Sequence, residues 1–138
     1  MNGYLLDTHA WVWAQTGETA RFKRDVRKEL ERSQANRQVY VSAISVLELA
    51  RLVSMGHLTL PCSIDDFVAQ AFGEGMLLLL DVTPRILIDS TRLPGDIHRD
   101  PADRLLVATA RAHGLALVTR DKQLLTYAKQ GFMNARKP

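Results

Sequence analysis

The chain has 138 residues and a mass of 15.5 kDa, the usual size of one domain, so we expect residues 1–138 to form a single domain. Its 46% hydrophobic and 24% charged residues exclude intrinsic disorder, and a formal net charge of +3 is compatible with a nucleic-acid partner without demanding one. The longest aliphatic run, over 76–80, is too short to span a membrane, and the one cysteine cannot form an intramolecular disulfide, so we expect a cytoplasmic protein.

The first half of the chain alternates short apolar runs with helix-like segments. The pattern predicts a strand over 4–6 and a helix after it, and then an amphipathic helix over 19–33 whose apolar stripe repeats every four residues. A second strand over 39–41 leads into a helix that begins at Ser42 or Ser45. This helix is apolar on nearly every side, so we expect it to be largely buried.

The second half continues the alternation. Ser63 and Asp66 resemble a capping box at the start of a helix over 64–72, and the aliphatic run over 76–82 predicts a fully buried third strand. We expect the tail over 134–138 to be frayed. The remaining predicted elements are helices over 86–93, 105–113 and 121–127 and a fourth strand over 115–118. Strands that alternate with helices predict an α/β fold, with a parallel sheet covered by helices on both faces.

Two aspartates lie just after predicted strands. In an open parallel sheet, the functional crevice lies outside the carboxyl ends of the strands. Asp7 follows the first strand and Asp121 follows the fourth, so both belong at this edge. Each of them could instead serve only as the N-cap of the next helix, which is a common role for aspartate.

Two further acids lie on predicted helices. Glu48 lies inside the apolar helix, where a buried carboxylate needs a cation, a metal or a hydrogen-bonding partner. An ion pair with Arg51 is the simplest alternative, and an exposed position at the edge of the helix is another. Asp103 lies in the first turn of a helix that Asp100 can cap. The helix dipole alone would explain an acid there, but Asp103 can also point back toward the strand ends.

Four carboxylates that meet in one crevice repel one another by about 3 to 4 kcal/mol per pair at close range. They would not assemble without a cation, and oxygen ligands of this kind suit Mg²⁺ or Mn²⁺. Zinc would be expected to use histidine or cysteine, and the four histidines show no recognisable metal-ligand spacing. The sequence therefore favours a magnesium or manganese site.

Four motifs occur in order along the chain, namely Leu-Leu-Asp7-Thr8, Ser45-Val-Leu-Glu48-Leu-Ala, Asp100-Pro-Ala-Asp103-Arg-Leu-Leu-Val-Ala-Thr-Ala and Val118-Thr-Arg-Asp121. In order and spacing they resemble the acidic motifs of PIN-domain nucleases, particularly the VapC toxins of bacterial toxin–antitoxin pairs. The resemblance covers nearly the whole chain. It implies a three-layer α/β/α domain with a central parallel sheet, and a Mg²⁺- or Mn²⁺-dependent endoribonuclease. It also implies a homodimer and a VapB-like antitoxin as partner.

The resemblance also assigns roles to individual side chains. It implies that the metal is held by the four acids, Asp7, Glu48, Asp103 and Asp121. Thr8 or Thr119, next to two of these acids, would supply a supporting hydroxyl. The same four acids are therefore the implied catalytic set.

RNA must be held by separate basic groups, because the acids alone repel phosphate. Arg104 and Arg120 lie beside the acids in the sequence and are the candidates for phosphate contact. Trp11 and Trp13 either pack in the core or in a dimer contact, or else stack on a base.

Two other interpretations remain open. A receiver-like signalling module should show adjacent acids after the first strand and a lysine after a late strand, whereas Asp7 stands alone and residues 119–121 are Thr, Arg and Asp. A catalytically inactive nucleic-acid-binding domain would keep the same fold. In that case nothing would offset the repulsion among the acids.

Overall fold

A computed structural model describes residues 3–138. Within this range the sheet has five parallel strands in the order β3-β2-β1-β4-β5, with bounds β1 Tyr4–Leu6, β2 Val39–Ser42, β3 Leu78–Leu80, β4 Ala116–Val118 and β5 Asn134–Arg136. The helices are α1 Thr8–Gln15, α2 Arg24–Ala35, α3 Ala43–Ser54, α4 Ile64–Gly73, α5 Pro84–Ser90, α6 Pro101–His113 and α7 Lys122–Lys129. None of these helices is long and apolar enough to cross a membrane.

Alternate residues of the central strands face two separate cores. Leu6 and Val118 pack on one side of the sheet against side chains from α1, α2 and α4. Leu5 and Leu117 pack on the other side against α6 and α7. The period of two along a strand thus divides its apolar side chains between two layers of helices. The predicted three-layer α/β/α architecture with a parallel sheet is confirmed.

Short polar side chains begin the helices where the sequence predicts. Ser42, rather than Ser45, is the N-cap of α3, and its Oγ accepts a hydrogen bond from the Ile44 amide at 3.2 Å. Ser63 caps α4 by accepting from the Asp66 amide at 3.1 Å. These bonds satisfy amides that have no partner within the first turn of a helix.

The amphipathic segment begins its helix later than predicted. Its apolar stripe is buried as expected, but residues 19–21 form a short 3₁₀ turn and α2 starts only at Arg24. Phe22 has an extended backbone between the two and packs edge-on against Trp13. The ring reaches the core through this break, which a pure helical period does not reveal.

The third strand is shorter and more exposed than the fully buried strand that the sequence predicts. It spans Leu78–Leu80 instead of 76–82, and Leu79 is 45% exposed. β3 lies at the edge of the sheet, where it pairs with β2 on one side. The aliphatic run indicates a strand but not its place in the strand order.

Helix α3 is also less buried than predicted. Its fully buried residues are Ser45 and Leu49, whereas Leu47 is 55% exposed. Helix α5 likewise exposes Leu87 and Ile88. The apolar pattern of α3 therefore exceeds what the interior of one chain covers.

The tail over 134–138 is not frayed, because part of it forms β5 and pairs with β4. The Arg136 guanidinium lies 2.9 Å from a Glu29 carboxylate oxygen and 3.0 Å from one of Asp25, both on α2. The Tyr4 hydroxyl donates to the same glutamate at 2.7 Å. The tail is fixed by these polar contacts across the sheet, and an apolar pattern does not predict them.

Candidate metal centre

The strand order creates a crevice between β1 and β4. From β1 the chain moves outward to β2 and β3 on one side, and β4 and β5 are added on the other. In such a sheet, the crevice lies outside the carboxyl ends of the strands where the order reverses. Asp7 follows β1 directly, and Thr119, Arg120 and Asp121 follow β4. The topology therefore brings the first and last acidic motifs to one place.

Asp7 caps α1 and also contacts the last motif. Its Oδ1 accepts a hydrogen bond from the Ala10 amide at 2.8 Å, and its carboxylate is also hydrogen-bonded by the Thr119 side chain. Burial raises the pKa of Asp7, and the nearby charge of Asp121 raises it further, while the two hydrogen bonds oppose the shift. The capping bond alone therefore does not stabilise the charged form enough to keep the pKa of Asp7 at its ordinary value.

Asp121 combines the same two roles. Its Oδ1 accepts from the amides of Gln123 at 2.8 Å and Leu124 at 3.0 Å, so both capping bonds use one oxygen. The hydroxyl of the buried Thr119 accepts from the Asp121 amide at 3.1 Å and thereby links this acid to Asp7. Asp121 therefore caps α7 and also lies close to Asp103 and His98.

Glu48 enters the crevice from α3. The hydroxyl of the buried Thr8 donates to its Oε1 at 2.9 Å. Burial raises the pKa of Glu48, and the charges of Asp100 and Asp7 raise it further, while the Thr8 hydroxyl opposes the shift. Among the ion pairs of residues 3–138, none joins Glu48 to Arg51, so the simplest alternative for this acid is wrong.

Asp103 projects from the first turn of α6. Asp100 is the N-cap and accepts from the Asp103 amide at 3.1 Å, as predicted. Burial and the charge of Asp100 raise the pKa of Asp103 to about 6, with smaller contributions from Asp121 and Glu48 and an opposing one from His98. The charges of the four predicted acids thus act on one another. We call Asp7, Glu48, Asp103 and Asp121 the acidic site.

His98 is a member of this neighbourhood that the sequence analysis missed. Ligand atoms of His98, Asp103 and Asp121 all lie within 4.8 Å of one another, and His98 Nε2 is 3.3 Å from Asp103 Oδ2. That contact lacks hydrogen-bond geometry, so the buried Nε2 has no hydrogen-bond partner among the described residues. The spacing between histidines does not reveal His98, because its neighbours in space are carboxylates and not other histidines. The available signal was a histidine five residues before Asp103 in a charged run.

Arg104 and Tyr127 fix the loop that carries His98. Arg104 Nε donates to the Ser90 carbonyl at 2.8 Å, and its Nη1 donates to the Ile97 carbonyl at 3.4 Å. The Tyr127 hydroxyl donates to the Pro94 carbonyl at 2.6 Å. Arg104, predicted to contact phosphate, therefore has backbone partners of its own, and this geometry favours a structural role.

Arg120 is placed differently from Arg104. It is exposed, and its guanidinium lies 5.5 Å from the ring centroid of the partly buried Trp13, with that of Arg21 at 5.2 Å. Trp11 is fully buried and donates its indole N–H to Gln15 at 2.8 Å. Trp11 is thus a core residue, whereas the partly buried Trp13 ring makes cation–π contacts with two arginine side chains.

The donor set fits a divalent cation. Carboxylates with raised pKa values lose their mutual repulsion when a cation binds, and the buried His98 Nε2 would gain a partner. The three-layer α/β/α fold, with the acidic site where the strand order reverses, makes this an α/β protein with a cluster of carboxylates at the edge of its sheet. The chain belongs to the PIN domain family, whose model matches residues 4–130.

Known proteins similar to this chain agree with that assignment. The chain is 31% identical over 127 residues to Ribonuclease VapC22 of Mycobacterium tuberculosis, covering 92% of this chain and 93% of that protein. Its fold is similar to that of VapBC2 from Rickettsia felis bound to a promoter DNA fragment, with TM-score 0.68, 19% identity and coverage of 99% of this chain and 98% of that chain. DNA-bound VapBC from Salmonella typhimurium gives TM-score 0.65, 17% identity and the same coverage. The family resemblance is confirmed, and the receiver-like alternative is wrong.

Proposed function

We propose that the protein is a Mg²⁺- or Mn²⁺-dependent endoribonuclease and the toxin of a toxin–antitoxin pair. The convergence of the acidic site carries this proposal, because three of its four acids have raised pKa values. A cluster of this kind is favourable at neutral pH only with a compensating cation. The similarity to Ribonuclease VapC22 supports RNA as the substrate.

The proposed reaction is hydrolysis of a phosphodiester. The acidic site holds the cation, and the hydroxyls of Thr8 and Thr119 orient Glu48 and Asp7. A bound divalent cation activates water and stabilises the charge that develops at phosphorus. The water oxygen forms a bond to phosphorus and the bond from phosphorus to the 3′ oxygen breaks. The leaving oxygen takes up a proton, so the products carry 5′-phosphate and 3′-hydroxyl ends.

Arg120 is the proposed contact to the RNA backbone. It is exposed, it precedes Asp121 directly, and its guanidinium is steadied by the Trp13 ring. An arginine held in this way loses less side-chain entropy when it binds phosphate. We propose that Arg104 instead positions the loop before α6, because its donors already reach backbone carbonyls.

Cleavage of total RNA by the purified chain tests the function. We expect cleavage with Mg²⁺ or Mn²⁺, none with excess EDTA, and none from the Asp7→Asn variant. Glu74→Gln is the matched control, since it removes an exposed carboxylate between α4 and the amino end of β3. Cleavage that persists in excess EDTA, or in Asp7→Asn, would contradict the proposal.

A VapB-like antitoxin and a second copy of the chain are the proposed partners. The VapBC complexes with a similar fold support the antitoxin. The large apolar side chains of Leu47 on α3 and of Leu87 and Ile88 on α5 are each about half exposed, and a second copy of the chain that covers them supports a homodimer. Light scattering should give the mass of a dimer for the wild type and of a monomer for Leu47→Glu. A monomeric wild type would contradict the dimer.

A further inference from the structure

The position of His98 is set by the chain around it. Arg104 and Tyr127 donate to the carbonyls of Ile97 and Pro94, which lie one and four residues before His98. Gly95 has a left-handed backbone with φ +72°, and an added Cβ would lie 2.4 Å from the Phe132 ring. The loop is therefore fixed by side-chain donors and by a turn that favours glycine. These contacts fix the backbone from which the His98 side chain reaches the acidic site.

The His98 ring ends in an atom without a hydrogen-bond partner. Leaving a buried polar atom unpaired is unfavourable, and native structures rarely keep one without a reason. Asp103 Oδ2, 3.3 Å away, forms an ion pair with His98 only when the imidazole is protonated, whereas a neutral Nε2 that presents its lone pair would face the lone pairs of the Asp103 and Asp121 carboxylates. A cation between the three groups would satisfy all of them.

We propose that His98 Nε2 is a ligand of the cation, together with Asp103 and Asp121. This assignment rests on the proposed function for the presence of a cation and adds the chemistry of one ligand. Imidazole nitrogen is a poor ligand for Mg²⁺, which prefers oxygen, and a better one for transition metals such as Mn²⁺. One side of the centre is therefore a mixed nitrogen and oxygen site that favours Mn²⁺ over Mg²⁺.

Mn²⁺ bound to the full chain in the absence of RNA provides the test. Pulsed electron paramagnetic resonance detects ¹⁴N nuclei bound to Mn²⁺, and titration gives the affinity. We expect ¹⁴N coupling in the wild type and its loss in His98→Ala, with Mn²⁺ affinity about 10- to 100-fold weaker. His9→Ala is the matched control, because His9 is also close enough to influence Asp7 and Glu48 but is exposed. That variant should keep the coupling.

A second substitution separates ligand loss from unfolding. His98→Gln keeps a polar side chain of similar length, so it should retain the fold by circular dichroism and still lose the imidazole coupling. Wild-type protein that binds Mn²⁺ without ¹⁴N coupling, or His98→Ala protein that retains it, would overturn the assignment. Metal-dependent RNA cleavage without such coupling would leave the nuclease proposal standing. Coupling in a protein that cleaves no RNA would support His98 as a ligand and contradict the nuclease proposal.

Discussion

The raised pKa of Asp103 makes the stability of the metal-free protein depend on pH. The pKa is about 6 in the folded chain and 3.8 is the ordinary value. The folded state therefore holds this proton more tightly than the unfolded state does. The contribution of Asp103 to the free energy of unfolding falls as pH rises from about 4 to 6, and the loss is complete above that window. Asp103→Asn removes the ionisable group and with it this loss.

The magnitude follows from the size of the shift. A displacement from 3.8 to about 6 corresponds to ~3 kcal/mol if it is fully expressed. The Asp103 side chain is 23% exposed, so solvent and salt screen part of the interaction, and ~1–2 kcal/mol is the expected effect. Without metal, Asp103→Asn should be more stable than the wild type by this amount at about pH 8, and equally stable within a few tenths of a kcal/mol at about pH 4.

Urea unfolding in EDTA, followed by circular dichroism, measures both values. Glu74→Gln is again the control and should keep the pH dependence of the wild type. Saturating Mn²⁺ at the higher pH should reverse the order, because a ligand that binds only the folded wild type stabilises it. The reasoning fails if Asp103→Asn is no more stable than the wild type at about pH 8. It also fails if the variant has the same advantage at about pH 4, because burial of a charged Asp103 would then not explain the difference.

Three further substitutions probe other parts of the structure. Thr119→Val keeps the shape of a buried side chain but removes its bond to Asp7, so we expect a loss of ~1–2 kcal/mol in urea unfolding and Mn²⁺ affinity about 10- to 100-fold weaker by calorimetry. Unchanged affinity would contradict this role. Gly95→Ala should cost ~1–3 kcal/mol, because φ is +72° and the new Cβ meets the Phe132 ring, and a neutral result would show that the loop adapts. Arg136→Met should cost ~0.5–1 kcal/mol at low salt and less in about 1 M salt, whereas a loss that is independent of salt would exclude the ion pairs as its source.

The sequence predicts where two acids of the acidic site lie, because local signals accompany Asp7 and Asp121. Asp7 directly follows an apolar run and Asp121 follows one after two residues, and a capping residue just beyond a strand has a defined place at the edge of a parallel sheet. The helix starts at Ser42 and Ser63 are predicted for the same reason, since the cap and its amide are two or three residues apart. Short-range chemistry of this kind can be read without knowing the fold.

The missed features depend on contacts between distant parts of the chain. β5 has no apolar pattern of its own. Its end is held by the hydrogen bond from Arg136 to Glu29, more than a hundred residues earlier. The exposure of Leu79 depends on β3 taking an edge position, which strand order decides. His98 lies in a loop that the Tyr127 hydroxyl holds from α7, through the Pro94 carbonyl 33 residues earlier. Such positions follow from packing and not from a periodic pattern.

Asp7 and Asp121 each begin a helix with one oxygen while belonging to the acidic site. Asparagine caps a helix about as well as aspartate does, whereas alanine does not. Alanine at either position would remove the carboxylate and the helix cap at once. Asparagine would remove only the charge, so it separates the two effects. A chain with asparagine at both positions should therefore keep both helix starts, and under the proposed function it should bind the cation much more weakly than the wild type.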